Sequence, residues 1–331
     1  MRLAIVSFAV LVACAGQTAR SSPQAQPSVS PALTPGPHDV VLNGVRFYYR
    51  IGGTASDGTP PVVFLHGGPG QGSEHFDVLG GRYIERDLRM VWYDQRGSGL
   101  SERPVSGDYA IATMVDDIEA LRQALGVPQV ALIGHSFGAV LALEYAAKYP
   151  HNASHVVIVA GLWDTSVQCS LRLARFAALR PDVYARARND TLASDGSPRN
   201  DCDVELHARN GLSAADRRAF DLQTIFTDSA LATRLDSVNN ARHVVYGIEV
   251  NTAVMRAGLN SYRFTKFGAV TMPVLVIAGK RDGAAIPEGL RRLAEKLPRA
   301  QYVEFDHSGH FVYLDEPDRF AKTVSSFVRG Q

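Results

Sequence analysis

Along most of the chain, short apolar runs alternate with segments of helical periodicity. The apolar runs are found, in order, in PPVVFLHGGPG, RMVWYDQRG, QVALIGHS, HVVIVAGL and PVLVIAGKRD. Between the second and third runs, Met114, Ile118, Leu121 and Leu125 fall on one helical face. Parallel strands that are buried on both faces read as continuous apolar runs. The alternation therefore predicts an α/β fold, with a mostly parallel sheet and helices on both of its faces.

Two segments depart from this alternation. Residues 40–53 are predicted to form a hairpin, because Asn43-Gly44 suits the positive φ angles of a tight turn. Residues 163–267 contain helical stretches and no strong strand run. This segment begins and ends at strand ends, where ligands bind in open α/β sheets, so we expect a helical cap over a core of residues 39–162 and 268–331. A helical domain without a role in binding is the alternative.

The first 38 residues differ from the rest. Arg2 precedes an apolar run that is too short to span a bilayer, as in a secretory signal. The run ends in LVAC, which predicts a lipoprotein-type signal peptide at residues 1–13, lipidation of Cys14 and anchoring to a membrane. Plain cleavage that releases a periplasmic or secreted protein is the alternative. Residues 14–38 are rich in Ser, Pro, Gln and Ala, which predicts a disordered tether.

Composition and charge restrict the partners. The 331 residues include 34 Lys and Arg against 33 Asp and Glu, a formal net charge of +1, so no general attraction to nucleic acid is expected. In an exported protein Cys169 and Cys202 could form a disulfide, and two unpaired buried thiols are the alternative. No cysteine lies in a zinc-type spacing, and neither a metal nor an organic cofactor is expected. The oligomeric state is not predicted.

A candidate nucleophile lies in Gly134-His135-Ser136-Phe137-Gly138, which matches the pattern Gly-x-Ser-x-Gly. The glycines allow a turn from strand to helix that is too tight for side chains, and the serine is then exposed at the end of the sheet. An apolar strand before the motif and a strong helix former after it supply the required context. Ser136 is therefore predicted to be a nucleophile rather than an ordinary hydroxyl at a helix start.

A serine nucleophile needs a base and a carboxylate that orients the base, and in this architecture they follow in the order Ser, acid, His. Asp282 comes directly after the strand PVLVIAG, and His310 follows the next strand. Asp306 and His307 are rivals in the same loop. His310 is preferred because it lies beyond a glycine, farther into the loop that must reach over the sheet.

The reaction also needs N–H groups that stabilise an oxyanion. One is expected from Phe137, the residue after the nucleophile, and the other from the glycine loop His66-Gly67-Gly68-Pro69-Gly70. Gly68 is the predicted donor, because Pro69 has no N–H.

The motifs HGGPG, DQRGSGLS, GHSFG, GKRD and GH, in this order, resemble those of the α/β-hydrolase superfamily and, within it, the proline iminopeptidase (prolyl aminopeptidase) family. The resemblance extends roughly over residues 40–331. It implies a catalytic triad and an oxyanion hole at the residues named above. Asp94 and Arg96, in DQRGSG, are interpreted as structural residues that brace the loops around the site.

The resemblance also concerns substrate binding. The family holds the free amino group of its substrate with acidic residues of the cap, which makes Glu205 and Glu249 candidates here. The chain departs from the family in its elbow, where members usually have Gly-Ser-Trp-Gly and this sequence has His135 and Phe137 beside the serine.

These observations predict a serine hydrolase that acts through an acyl-enzyme. Its expected activity is that of an aminopeptidase, which releases N-terminal proline or other small residues from short peptides. A carboxylesterase that acts on small acyl esters is the first alternative. A surface-anchored binding protein without catalysis is the second.

Overall fold

The computed structural model describes residues 33–53, 58–190, 200–241 and 247–331. Its sheet consists of β1 (Gly36–Leu42), β2 (Val45–Gly52), β3 (Val62–Leu65), β4 (Met90–Tyr93), β5 (Val130–His135), β6 (Ala153–Val159), β7 (Val274–Gly279) and β8 (Ala300–Phe305). The strand order is β1-β2-β4-β3-β5-β6-β7-β8. β1 and β4 pair with β2 in antiparallel fashion, and the other neighbours are parallel. The predicted α/β class is confirmed.

The helices of the core connect or follow the strands, and the second of them contains the predicted helical face from Met114 to Leu125. They are α1 (Glu74–Ile84), α2 (Ile111–Leu125), α3 (Gly138–Lys148), α10 (Pro287–Lys296), α11 (Val312–Asp315) and α12 (Pro317–Arg329). Strands β3, β4, β5 and β7 are buried along their whole length. Their side chains form the centre of the hydrophobic core.

Between β6 and β7 the chain forms α4 (Thr165–Leu179), α5 (Pro181–Asn189), α6 (Asp201–Asn210), α7 (Ala214–Thr224), α8 (Ser229–Ala241) and α9 (Ile248–Arg256), followed by two short 3₁₀ turns. These helices lie within residues 163–267, the segment expected to form a cap, and the second 3₁₀ turn extends to Ala269. Helices α4 to α7 share a small apolar cluster of their own, centred on Leu173, Phe176 and Val204. By contrast, Leu235 of α8 and Val250 of α9 belong to the main core. The cap therefore has two parts, of which the second is packed onto the sheet domain.

The start of the chain departs from the prediction in one respect. The expected hairpin is present, with φ of 47° at Asn43 and 77° at Gly44. However, β1 begins at Gly36, which pairs with Ile51 of β2, so residues 36–38 belong to the sheet and not to a tether. The strand extends because β2 offers backbone partners along its whole length. The predicted signal peptide and Cys14 lie outside the described residues. No helix in the described part of the chain is long and apolar enough to cross a membrane.

Candidate active site

The turn between β5 and α3 has the geometry that the glycine pattern predicts. Ser136 has a φ of 52°, in the left-handed region that residues other than glycine rarely adopt. A Cβ on Gly134 would lie 2.5 Å from the carbonyl oxygen of Gly138, and one on Gly138 would lie 2.0 Å from that of Leu65. Side chains are therefore excluded at both glycine positions, and the backbone closes into a sharp elbow with Ser136 at its apex.

His310 is paired with a buried carboxylate. Its Nδ1 atom lies 2.9 Å from Oδ2 of Asp282, which is fully buried beyond the end of β7. The other oxygen of Asp282 accepts hydrogen bonds from the backbone N–H groups of Ala284 and Ala285, at 2.7 and 2.9 Å. These bonds fix the orientation of the carboxylate and, through it, the orientation of the imidazole. The rivals Asp306 and His307 are exposed to solvent.

Ser136 and His310 line the same cavity, which lies between the sheet domain and the cap and has a volume of about 1210 Å³. We call it the cap cavity. Gly68 and Phe137 also line it. Their backbone N–H groups donate to no acceptor among the described residues. The structure thus brings to one cavity a hydroxyl, an imidazole that is bound to a carboxylate, and two N–H groups that have no acceptor in the described part of the chain.

Asp94 and Arg96 brace the loops beneath this site. Oδ1 of Asp94 accepts hydrogen bonds from the backbone and the hydroxyl of Ser73, both at 2.7 Å. The guanidinium of Arg96 binds both carboxylate oxygens of Asp117, at 2.6 and 2.8 Å, in a buried bidentate pair. Neither Asp94 nor Arg96 lines the cap cavity. Their positions agree with the structural role that the sequence indicated.

The cap side of the cavity is rich in acidic groups. Among the described residues its lining includes four carboxylates, from Asp164, Asp201, Asp203 and Glu205, and two guanidinium groups, from Arg172 and Arg263. Guanidinium groups from outside the lining also approach these carboxylates: Arg188 lies 3.9 Å from Asp201, and Arg209 lies 3.6 Å from Glu205. No cluster of His, Cys, Asp or Glu among the described residues has an arrangement that could hold a metal ion.

The two predicted cap carboxylates have different surroundings. Glu205 of α6 is buried in the lining of the cap cavity, and the guanidinium groups of Arg172 and Arg209 both approach it to 3.6 Å. Glu249 of α9 lies outside the cavity lining, is about half exposed and forms an ion pair with Arg103. The structure therefore does not bring Glu249 to the site.

Asp203 is a lining residue that the sequence analysis missed. It is half-buried, and its carboxylate has no hydrogen bond or ion pair with any described residue. In the sequence it looks like an ordinary acidic residue in the first turn of a helix, where such residues favour the helix dipole. No pattern distinguishes it from the exposed acids of the other cap helices.

A disulfide forms part of the same lining. It joins Cys169 of α4 to Cys202 of α6, with their Cα atoms 4.8 Å apart. Arg172 and Glu205 each lie three residues after one of these cysteines, and they form an ion pair one turn along the same two helices. The bond thus sets the spacing of the helices that carry the polar lining.

A second cavity, of about 570 Å³, lies between α7, α8 and the sheet domain. It is lined by aromatic and charged side chains, among them His75, Arg217, Phe226 and Phe311. Neither Ser136 nor His310 lines it. We therefore identify the cap cavity as the candidate active site.

Relatives found by comparison with known proteins are named proline iminopeptidases. The chain is 25% identical over 289 residues to the proline iminopeptidase of Lactobacillus crispatus, a match that covers 86% of this chain and 95% of that protein. It is 27% identical over 284 residues to the proline iminopeptidase of Lactiplantibacillus plantarum, covering 83% and 94% of the two chains.

Solved structures show the same fold. The proline iminopeptidase-related protein of Thermus thermophilus superimposes with a TM-score of 0.70 at 23% identity, covering 89% of this chain and 98% of that one. An esterase of Exiguobacterium antarcticum does so with a TM-score of 0.64 at 23% identity, covering 89% and 100%. The family model for the alpha/beta hydrolase fold matches residues 60–317. Together with the sheet order and the serine elbow, this match shows that the chain belongs to the α/β hydrolase fold family and is similar to its proline iminopeptidases.

Proposed function

We propose that the protein is a serine hydrolase in which Ser136 is the nucleophile, His310 the general base and Asp282 the residue that orients it. One observation carries this proposal: the imidazole that shares a cavity with the elbow serine is held at Nδ1 by a buried carboxylate. With Nδ1 carrying the proton that is donated to Asp282, Nε2 is left with a lone pair. It can therefore accept the proton of the serine hydroxyl.

The reaction follows from these roles. Oγ of Ser136 attacks the carbonyl carbon of the substrate while its proton passes to Nε2 of His310. The negative charge that develops on the carbonyl oxygen is stabilised by the N–H groups of Gly68 and Phe137. His310 then gives the proton to the leaving amine or alcohol, and the acyl-enzyme remains. A water molecule, deprotonated by the same imidazole, hydrolyses the ester bond and regenerates the serine.

We propose that the substrates are short peptides with a free N-terminal amino group, including those that begin with proline. A carboxylate in the lining of the cap cavity supports this assignment, since it can pair with an ammonium group. Asp203 is the stronger candidate for binding the ammonium, because its carboxylate has no partner among the described residues. The charge of Glu205 is already balanced by two guanidinium groups. The names of the relatives point in the same direction.

The second candidate activity is hydrolysis of small acyl esters, which needs the same triad and no anion for an amino group. Three substrates separate the two: prolyl-β-naphthylamide, its N-acetylated form and p-nitrophenyl butyrate. An aminopeptidase should hydrolyse the free amine at least about tenfold faster, in kcat/KM, than the blocked form, a preference of about 1.4 kcal/mol. Turnover of the ester with equal rates on the free and blocked amides would identify an esterase. A protein that turns over none of them and resists a fluorophosphonate probe would be a binding protein.

We further propose that the protein is exported and anchored to a membrane through a lipid on Cys14. The apolar run before Cys14 and the Ser- and Pro-rich segment after it support this proposal. So does the disulfide of the cap, because such bonds persist in oxidising compartments. Expression of a Cys14→Ser variant tests it: the variant should move from the membrane fraction to the soluble fraction. An unchanged distribution would leave a plain signal peptide.

A further inference from the structure

His135, the residue directly before the elbow serine, contacts the loop that carries His310. Its side chain is 1% exposed at the end of β5. Nε2 of His135 lies 3.0 Å from the backbone carbonyl oxygen of His310, and Nδ1 lies 3.4 Å from the hydroxyl of Tyr313. A carbonyl oxygen can only accept a hydrogen bond, so Nε2 must be the donor. Nδ1 is then free to accept from the tyrosine.

The backbone of His310, the proposed base, is held at two points, and the contact with His135 is one of them. The backbone N–H of His310 donates to the carbonyl oxygen of Ile225 in the cap, at 3.0 Å. Its carbonyl oxygen is held by His135, which is covalently joined to Ser136. His310 is thus bound by the cap through one backbone group and by the elbow through the other. The elbow contact is the one that relates the position of the imidazole to that of the hydroxyl.

The surroundings of His135 keep it neutral. Burial holds the pKa of His135 well below its usual value, and the neighbouring His310, His75 and His66 lower it further. The ring of His135 lies only 4.8 Å from that of His310, between centroids. A neutral ring there does not repel the positive charge that His310 acquires when it takes the serine proton. With both nitrogens engaged, it also does not compete for that proton.

We propose that His135 is a positioning residue, which aligns His310 with Ser136 through its hydrogen bond to the backbone carbonyl of His310. This inference rests on the triad of the proposed function. It also gives a reason for the departure of the elbow from the Gly-Ser-Trp-Gly pattern, since a glycine at position 135 would have no side chain to reach the base loop. Because a displacement of about 1 Å between reacting groups can cost about 100-fold in rate, the loss of such a contact should appear in kcat.

Two substitutions separate the hydrogen bond from the packing. His135→Gln places an amide N–H at a reach similar to that of Nε2, whereas His135→Leu has similar bulk and no donor. With p-nitrophenyl butyrate as substrate, we expect His135→Leu to lower kcat between about 10-fold and 100-fold, with KM within about twofold. We expect His135→Gln to keep kcat within about threefold of the wild type. His155 on β6 is the matched control, because it is a half-buried histidine at the opposite end of the sheet, and His155→Leu should leave kcat unchanged.

The tautomer of His135 is a measurement that needs no variant. In ¹⁵N-labelled full-length protein, the imidazole signals of His135 should show a proton on Nε2 and none on Nδ1 between pH 6 and 8. A proton on Nδ1 would overturn the proposal. So would a His135→Leu enzyme with wild-type kcat, or a loss of kcat in His135→Gln as large as that in His135→Leu. Fluorophosphonate labelling of wild-type Ser136 tests the underlying triad separately, so the two failures can be told apart.

Discussion

Cys169 of α4 is bonded to Cys202 of α6 in the lining of the cap cavity, one helical turn from the ion pair of Arg172 and Glu205. The bond ties the helix that carries the acidic lining to the helix that follows β6. It therefore connects the stability of the cap with the shape of the candidate active site.

We expect Cys202→Ser to destabilise the cap by about 3–4 kcal/mol, because it frees a loop with a sequence separation of 33 residues. Limited proteolysis should detect faster cleavage within the cap, and KM for prolyl-β-naphthylamide should rise more than KM for p-nitrophenyl butyrate. Treatment of the wild type with a reductant should reproduce both effects and leave the variant unaffected. Equal proteolytic stability of the two proteins would contradict the expectation.

Asp203→Asn should raise KM for substrates with a free amino group about tenfold, since it removes a carboxylate that has no other partner among the described residues. KM for p-nitrophenyl butyrate should not change. Glu249→Gln is the matched control, because Glu249 lies outside the cap cavity and should affect neither substrate. If KM for the substrate with a free amino group is unchanged in Asp203→Asn, a group other than Asp203 binds the ammonium. Glu205→Gln would then be the next variant to measure.

Ser136→Ala should lower kcat by about 10⁵-fold while the protein remains folded, because the covalent intermediate can no longer form. Circular dichroism would check the fold, and a fluorophosphonate probe should label the wild type and not the variant. Ser106→Ala, at an exposed loop serine, should behave as the wild type does. Labelling or substantial turnover in the Ser136→Ala variant would remove Ser136 from the mechanism.

Arg96→Met should destabilise the protein by about 3–5 kcal/mol, because it leaves the carboxylate of Asp117 buried without its charge partner. Urea unfolding would measure the change. The control is Arg46→Met, which breaks an ion pair with Asp39 that is about half exposed and should cost less than about 1 kcal/mol. Similar losses in the two variants would argue against a bracing role for the buried pair.

The free energy of unfolding should decrease as the pH falls from about 6.5 to about 4. Burial lowers the pKa of His66 to about 4, whereas an unfolded histidine has a pKa near 6.5. Between these values the unfolded chain binds a proton at His66 and the folded protein does not. The contribution of the neutral His66 to the free energy of unfolding is therefore fully present above pH 6.5. It is lost as the pH falls toward 4, by about 3 kcal/mol in total.

Urea unfolding of the wild type and of His66→Gln at pH 7.5, 6, 5 and 4.5 would measure this dependence. The difference in unfolding free energy between the wild type and His66→Gln separates the effect of His66 from that of the carboxyl groups, which titrate in the same pH range. A difference that does not vary with pH would show that His66 is not the residue responsible.

Much of the core was predictable from local pattern. The inner strands β3, β4, β5 and β7 are buried on both faces, so they are continuous apolar runs that can be recognised in the sequence alone. The elbow at Ser136 was predictable because only glycine fits at positions 134 and 138. Asp282 and His310 were found by their order and by their positions after strands, which brought them to the same edge of the sheet.

The polar lining of the cap cavity could not be predicted in this way. Asp203, Glu205 and Glu249 are all acidic residues near helix starts, and their sequences do not show which of them faces the cavity. That depends on how the cap helices pack on one another and on the sheet domain, through contacts between residues far apart in the chain. The same is true of the length of β1, which is set by its partner β2.

The sequence by itself determined the inner strands and the elbow with the candidate nucleophile, because these depend on local periodicity and on steric limits at single glycines. It also identified the candidate acid and base, by their order along the chain and their positions after strands. Only the tertiary structure decided that His135 binds the backbone of His310, that Asp203 lines the cavity and that Glu249 does not. Those relationships depend on the relative positions of elements that are distant in sequence, which no local pattern encodes.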